Sequence, residues 1–130
     1  MIPTAIEEVL RYRSPFLPER RVTTCEVTLG DRVVPANSLI TASLLSANHD
    51  ERRFRDPDRF EVCRDPNPHL AFGHGAHFCL GAPLARMAGA IALNLLFDRF
   101  PILRLKPGAD IPMYGSPEIF GPSRMLVSTS

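Results

Sequence analysis

The 130-residue chain has almost no excess of either charge, 15 lysines and arginines against 14 acidic residues, so it carries no broad field to attract nucleic acid or an anionic membrane. Long apolar runs are missing too. None approaches the roughly 18 residues of a spanning helix, and the opening Met1-Ile2-Pro3-Thr4-Ala5-Ile6-Glu7-Glu8 lacks the basic start and apolar stretch of a secretory leader. A cytoplasmic protein is expected, with neither nucleic acid nor membrane as partner. Cysteine is scarce and odd in number: Cys25, Cys63 and Cys79 form no CxxC pair, which in a reducing compartment argues against a disulfide framework. There is no internal repeat and no linker, so residues 1–130 read as one unit.

What is present is an ordinary globular composition, 45% hydrophobic and 22% charged, with 13 prolines, about twice average usage. The prolines predict long irregular segments. Thr4 can cap a helix from about Ala5 to Tyr12, with Glu7 and Glu8 near its N-terminus and Ser14-Pro15 disfavouring continuation. From Arg21 to Ser46, Val, Thr, Leu and Ile broken at Leu29-Gly30-Asp31 and Pro35-Ala36-Asn37-Ser38 predict three short strands. Residues 47–70 lose periodicity, with one helical turn expected near Asp50 to Phe54 and His49 as a turn residue. From Ala82 to Phe100 a helix is expected, opened by Pro83, stopped by Pro101, and apolar nearly all round; Leu84, Ala88, Ile91, Leu95 and Leu96 mark its face, widened by Ala85, Ala92 and Leu93. That makes it a central helix. The tail alternates apolar runs with Pro107-Gly108 and Gly121-Pro122, as edge strands and hairpins do.

Just before the long helix, Phe72-Gly73-His74-Gly75-Ala76-His77-Phe78-Cys79-Leu80-Gly81 sets one cysteine among three glycines. A thiolate binds iron, and it is stabilised where backbone N–H groups and the positive end of a helix face the sulfur. Glycines at 73, 75 and 81 permit positive φ and leave no Cβ where backbone must pass a flat ligand. Phe72 can lie against the sulfur and exclude water, which tunes an iron centre.

The run from His69 to Arg86 resembles the haem-binding loop of soluble bacterial cytochromes P-450, the pattern FGxGxHxCxG followed by a helix. Three further segments resemble that family in its own order: Glu8-Val9-Leu10-Arg11 the ExxR motif, Asp56-Pro57-Asp58-Arg59-Phe60 the meander, and Arg21-Val22-Thr23 a propionate-binding strand. The resemblance implies a mainly α fold with small β-sheets (α+β), specifically the C-terminal haem-binding part of the P-450 fold, with 1–130 a partial domain. It implies haem b, with Cys79 as catalytic thiolate and iron ligand, and Phe72, Gly73, Gly81 and Ala85 around the cofactor. Arg21 and His77 would hold its propionates. Glu8, Arg11 and Arg59 would form an acid-arginine-arginine network supporting the coil.

The resemblance also implies a monooxygenase inserting one oxygen atom of O2 into a small organic substrate, with electrons from a ferredoxin or flavodoxin-like donor that Arg86 would face. Phe16 and Leu17, together with Ile119 and Phe120 in the turn from Pro117 to Gly121, would line the substrate pocket. Two departures stand out: Met87-Ala88 replaces a hydrophobic-acidic pair common after Ala-Arg, and Phe120-Gly121 stands where arginine-glycine is common. The long oxygen-activating helix of the family is absent from these residues. A rival expectation is therefore a non-enzymatic remnant, or a half-protein needing an N-terminal partner. A zinc module built on His74, His77 and Cys79 lacks the remaining ligands such a site needs. Cys25 and Cys63 are assigned to packing.

Overall fold

The computed structural model of the chain describes residues 1–116 and 118–129. Helix α1 spans Ile2–Tyr12, starting earlier than the Thr4 cap implied. Pro3 fits the first turn, where no N–H partner is needed, and the Thr4 hydroxyl donates back to the Met1 carbonyl at 2.9 Å. After it the chain turns outward, and Ser14 Oγ donates to the Leu10 carbonyl at 2.8 Å.

Four strands follow where three were expected. Strand β1 (Pro18–Val22) pairs antiparallel with β4 (Leu39–Ser43), while β2 (Val27–Leu29) and β3 (Arg32–Val34) form a hairpin over Gly30, whose φ is +63°. The first apolar run is broken by the buried Thr23. Its hydroxyl donates to the Pro35 carbonyl at 2.6 Å and accepts from the Ser38 N–H at 2.9 Å, a local bond that competes with strand pairing. The end of the run expected as strand is instead a short helix, α2 (Leu44–Ala47), because Ser43 Oγ caps it by accepting from the Ser46 N–H at 3.1 Å.

Residues 48–81 are coil, as the prolines indicated, apart from isolated turns. The turn expected at Asp50 is present, with the N–H groups of Arg53 and Phe54 both donating to the Asp50 carbonyl at 2.9 Å. His49 bonds the Leu45 carbonyl at 2.9 Å through Nδ1. A 3-10 turn covers Gly75–His77, and helix α3 runs Ala82–Arg99 up to Pro101. In the tail, β5 (Arg104–Leu105) pairs with β6 (Val127–Ser128).

Where α3 was expected to be central, most of its apolar surface is open. Leu84 and Leu95 remain 63% and 64% exposed, and among its residues Ala82 is the one fully buried. The side that packs on α1 carries Arg86, Gly89 and Ala90, on the opposite side of the helix from the face marked by Leu84, Ile91 and Leu95. A helix apolar all round does not reveal by pattern which side its neighbour takes. Gly89 permits the approach: a Cβ there would meet Ile6 Cδ1 at 3.5 Å. The buried apolar side chains are few (Leu44, Phe54, Ala71, Ala82), and the largest fully buried ones are Arg11, Glu8, Asn48 and Ser14. Cys25 and Cys63 are exposed free thiols rather than packed ones, because both sit in loops outside this small core. Among the described residues, no helix is long and apolar enough to cross a membrane.

Candidate functional site

The site begins with a carboxylate one helical turn from a guanidinium. Glu8 and Arg11 share a face of α1 by their i,i+3 spacing and are both 0% exposed. Arg11 donates from Nε to Oε2 and from Nη2 to Oε1 of Glu8, each at 2.8 Å, a two-pronged match suited to the planar fork. The remaining capacity of both groups goes to the coil. Arg11 Nη1 donates to the carbonyls of Asn48 and Pro57, and Nη2 to that of Arg59. Glu8 accepts from the Glu61 N–H at 2.9 Å and from Asn67 Nδ2 at 3.1 Å.

The third member of the network is Arg64, correcting the expectation for Arg59. Arg64 Nε lies 3.2 Å from both Glu8 oxygens, and its Nη groups donate to the carbonyls of Arg55, Asp56 and Arg59. Arg59 contributes its carbonyl, while its exposed side chain stays outside. The coil folds back so that the arginine five residues further on points at the helix. Desolvation alone would raise the Glu8 pKa, but the bonds from Arg11, the Glu61 N–H and Arg64 outweigh it and hold it at about 2. Asn48 extends the network: Nδ2 donates to Ser14 Oγ at 2.9 Å, and Oδ1 accepts from the Leu70 N–H at 2.7 Å, where the cysteine loop begins.

A second cluster, which the sequence did not reveal, is built on the neighbouring Glu7. Arg86 of α3 grips its carboxylate with Nε and Nη2 at 2.7 and 2.8 Å, and His69 Nε2 lies 3.0 Å from Oε2. Because the Ala71 N–H donates to His69 Nδ1 at 3.2 Å, Nε2 carries the proton given to Glu7. Burial lowers the His69 pKa against the pull of Glu7, which favours the uncharged ring; the hydrogen bond from Arg86 lowers that of Glu7. The Arg86 guanidinium also lies 4.7 Å over the Phe72 ring. The side chain expected to face a redox partner is thus engaged in joining α1 to α3. An apolar gap of about 200 Å³ behind this clamp is lined by Pro3, Thr4, Ile6, Glu7, Arg86 and Ala90; Cys79 takes no part in it, so it belongs to helix packing.

Between these two clusters the cysteine loop is closed by its own backbone. Gly73 N–H donates to the Leu70 carbonyl, Cys79 N–H to that of Phe72 and Phe78 N–H to that of Gly75, at 2.9, 2.9 and 3.0 Å. Gly73 and Gly75 adopt φ of +75° and +77°, which side chains with a Cβ rarely tolerate. Gly81 departs from the expectation of positive φ: it is the α3 N-cap at φ −81°, and a Cβ there would stand 3.8 Å from Cys79 Sγ. Cys79, His77 and Ala85 are exposed, Leu80 is 99% exposed, and Phe72 is half-buried, its ring in a T-shaped pair with that of Phe78.

Arg21 lies on β1 opposite Ile40, and Nη1 donates to Glu19 Oε2 and the Arg20 carbonyl at 2.8 and 2.7 Å. Phe16 and Ile119 meet in an antiparallel bridge, Leu17 N–H donates to the Glu118 carbonyl and Phe120 N–H to that of Pro15. The structure therefore brings these four residues together; Pro117, in the same expected turn, lies outside the described residues. Among the described residues, no group of three His, Cys, Asp or Glu stands where a metal ion could be held.

The sequence pattern of the family described as Cytochrome P450 matches residues 1–124. The chain belongs to the cytochrome P450 family. Its fold, helices with small sheets, is that of the corresponding part of solved P450s. CYP109E1 from Bacillus megaterium, solved in complex with testosterone, superposes over 98% of this chain with a TM-score of 0.95 at 40% identity. HmtT, involved in himastatin biosynthesis, does so over 99% with a TM-score of 0.96 at 45% identity. Among sequence relatives, cyclomarin C epoxidase CymV of Salinispora arenicola is 46% identical over 98% of this chain, and 6-deoxyerythronolide B hydroxylase of Saccharopolyspora erythraea 45% identical over 84%. The P450 chain spans about a third of these proteins: 36% and 33% of the two structures, 32% and 27% of the two relatives.

P450 family proteins carry haem b, and the residues present suit it. The loop offers an exposed, unpaired sulfur, glycine backbone at positive φ beside it, and an open apolar rim of Phe78 and Leu80. A lone soft sulfur ligand without clustered nitrogen or oxygen ligands fits iron within a macrocycle better than a free ion.

Proposed function

We propose that this chain is the haem-ligating part of a bacterial-type P450 monooxygenase, with the Cys79 thiolate as axial iron ligand. The observation that carries the reading is the exposed Cys79 sulfur on a loop fixed by its own backbone bonds and by two positive-φ glycines at the start of α3. Bound haem would supply O2 activation, helped by electron donation from a thiolate. The protein's share is to present that sulfur beside the helix N-terminus and shield it with Phe72. Gly73, Gly81 and Ala85 leave room for a flat ring, and Arg21 and His77 are assigned to the propionates.

The complete reaction in this reading inserts one oxygen atom of O2 into a small organic substrate, with electrons from a ferredoxin or flavodoxin-like donor. Relatives named as an epoxidase and a hydroxylase support oxygen insertion. The clustered Phe16, Leu17, Ile119 and Phe120 are assigned to the substrate side. Residues 1–130 form part of one domain, and three exposed thiols suit a reducing cytoplasm. The test is to load the protein with haemin, reduce it under carbon monoxide and record the Soret band. A strongly red-shifted, thiolate-type band that Cys79→Ala abolishes is expected; the same band in Cys79→Ala contradicts the assignment.

A further inference from the structure

Two adjacent carboxylates on α1 have separate tasks. Glu8 binds the coil, whereas Glu7 touches both ends of the cysteine loop: His69 where the chain enters it and Arg86 where α3 leaves it. We propose that Glu7 is a positioning residue for the proximal sulfur, its carboxylate tying the two ends of the loop to α1 and so fixing the direction in which Cys79 points.

The chain of contacts is continuous. Arg86 donates two bonds to Glu7, His69 Nε2–H donates a third, His69 Nδ1 accepts the Ala71 N–H, and the carbonyl of the next residue, Phe72, accepts the Cys79 N–H at 2.9 Å. Arg86 closes the circuit from the other side by lying 4.7 Å over the Phe72 ring. A two-bond guanidinium fork fixes orientation as well as distance, which a point charge would not. A surface ion pair that merely glued α1 to α3 would need neither the histidine tautomer nor the stacked phenylalanine.

The inference rests on Cys79 being the iron ligand, but its first test does not. Amide hydrogen exchange is measured residue by residue on the protein without haem, comparing wild type with Glu7→Gln. The Ala71 and Cys79 amides are expected to exchange about tenfold faster, while those of Thr23 and Asn37, bonded on the far side of β1 and β4, stay unchanged. Arg86→Lys keeps the charge and loses the fork, and is expected to raise exchange at Cys79 by a smaller factor. His69→Lys keeps a donor for Glu7 but offers no acceptor for the Ala71 N–H, so Ala71 alone is expected to speed up.

Unchanged exchange at Cys79 in Arg86→Lys, or an equal rise at Thr23, overturns the proposal; the lysine variant decides the matter if Glu7→Gln does not fold. In the haem-loaded protein, Glu7→Gln is expected to lose part of the thiolate-type carbon monoxide band, which Glu7→Asp partly restores. Localised exchange with no such band in wild type would count against the ligand assignment and leave the positioning of the loop standing.

Discussion

The polar network around Glu8 and the apolar surface of α3 invert the usual order of a globular protein. Glu8, Arg11, Asn48 and Ser14 are 0% exposed, whereas Leu84, Met87, Ile91 and Leu95 face outward. Both regions sit beside the cysteine loop, and they do different things. The network gives nearly every polar atom of two arginines and a carboxylate a partner, so an irregular coil acquires a fixed path without a large apolar core. The α3 surface supplies a support but little burial within this chain, leaving large apolar side chains open. Order near the sulfur therefore comes from hydrogen bonds more than from hydrophobic burial.

The sharpest way to break that contrast is Glu8→Gln, which leaves two buried guanidinium groups without their carboxylate. A loss of about 3–5 kcal/mol is expected in urea unfolding. Next, Arg64→Ala is expected to cost about 2–4 kcal/mol by stripping donors from three carbonyls and Glu8, while Arg59→Ala stays within about 0.5 kcal/mol because only its carbonyl is used. Acid should act on the same group. The Glu8 value lies at about 2 in the folded state against an ordinary 4.5, so its contribution is complete above pH 5 and disappears as pH falls toward 2. That amounts to about 3 kcal/mol, read as a slope in stability against pH that Glu8→Gln flattens.

On the apolar side the expected effects are small. Gly89→Ala places a methyl in ordinary contact with Ile6 and removes a flexible residue from a helix, so a gain of about 0.5–1 kcal/mol is expected from thermal unfolding. Leu95→Gln should change stability by no more than about 0.5 kcal/mol while raising solubility, measured by sedimentation or light scattering.

Much of this arrangement is legible in the sequence because it is local. Pro83 before an apolar run marks α3, the prolines mark the coil, and Glu8 and Arg11 stand three residues apart on one helix. What escapes is whatever depends on the path of the chain. Which of Arg55, Arg59 and Arg64 returns to Glu8 is decided by how the coil folds, and pattern favours none of them. Glu7 meets Arg86 from 79 residues away, and that pair carries no spacing signal. Ser43 is a cap only because Leu44–Ala47 bends into a helix, though Leu and Ile upstream of it suited a strand. The burial of α3 was overestimated for the same reason: its composition fits an interior, but these 130 residues cover one side of it.

The most direct test of the account is a double-mutant cycle of Glu8→Gln and Arg64→Ala, followed by circular dichroism in urea at pH 7. If the network acts as one unit, the double variant is expected to lose less than the sum of the two singles by about 1.5–3 kcal/mol. Additive losses, or single variants that unfold at the wild-type midpoint, would contradict the claim that this buried polar network holds the coil and the cysteine loop in place.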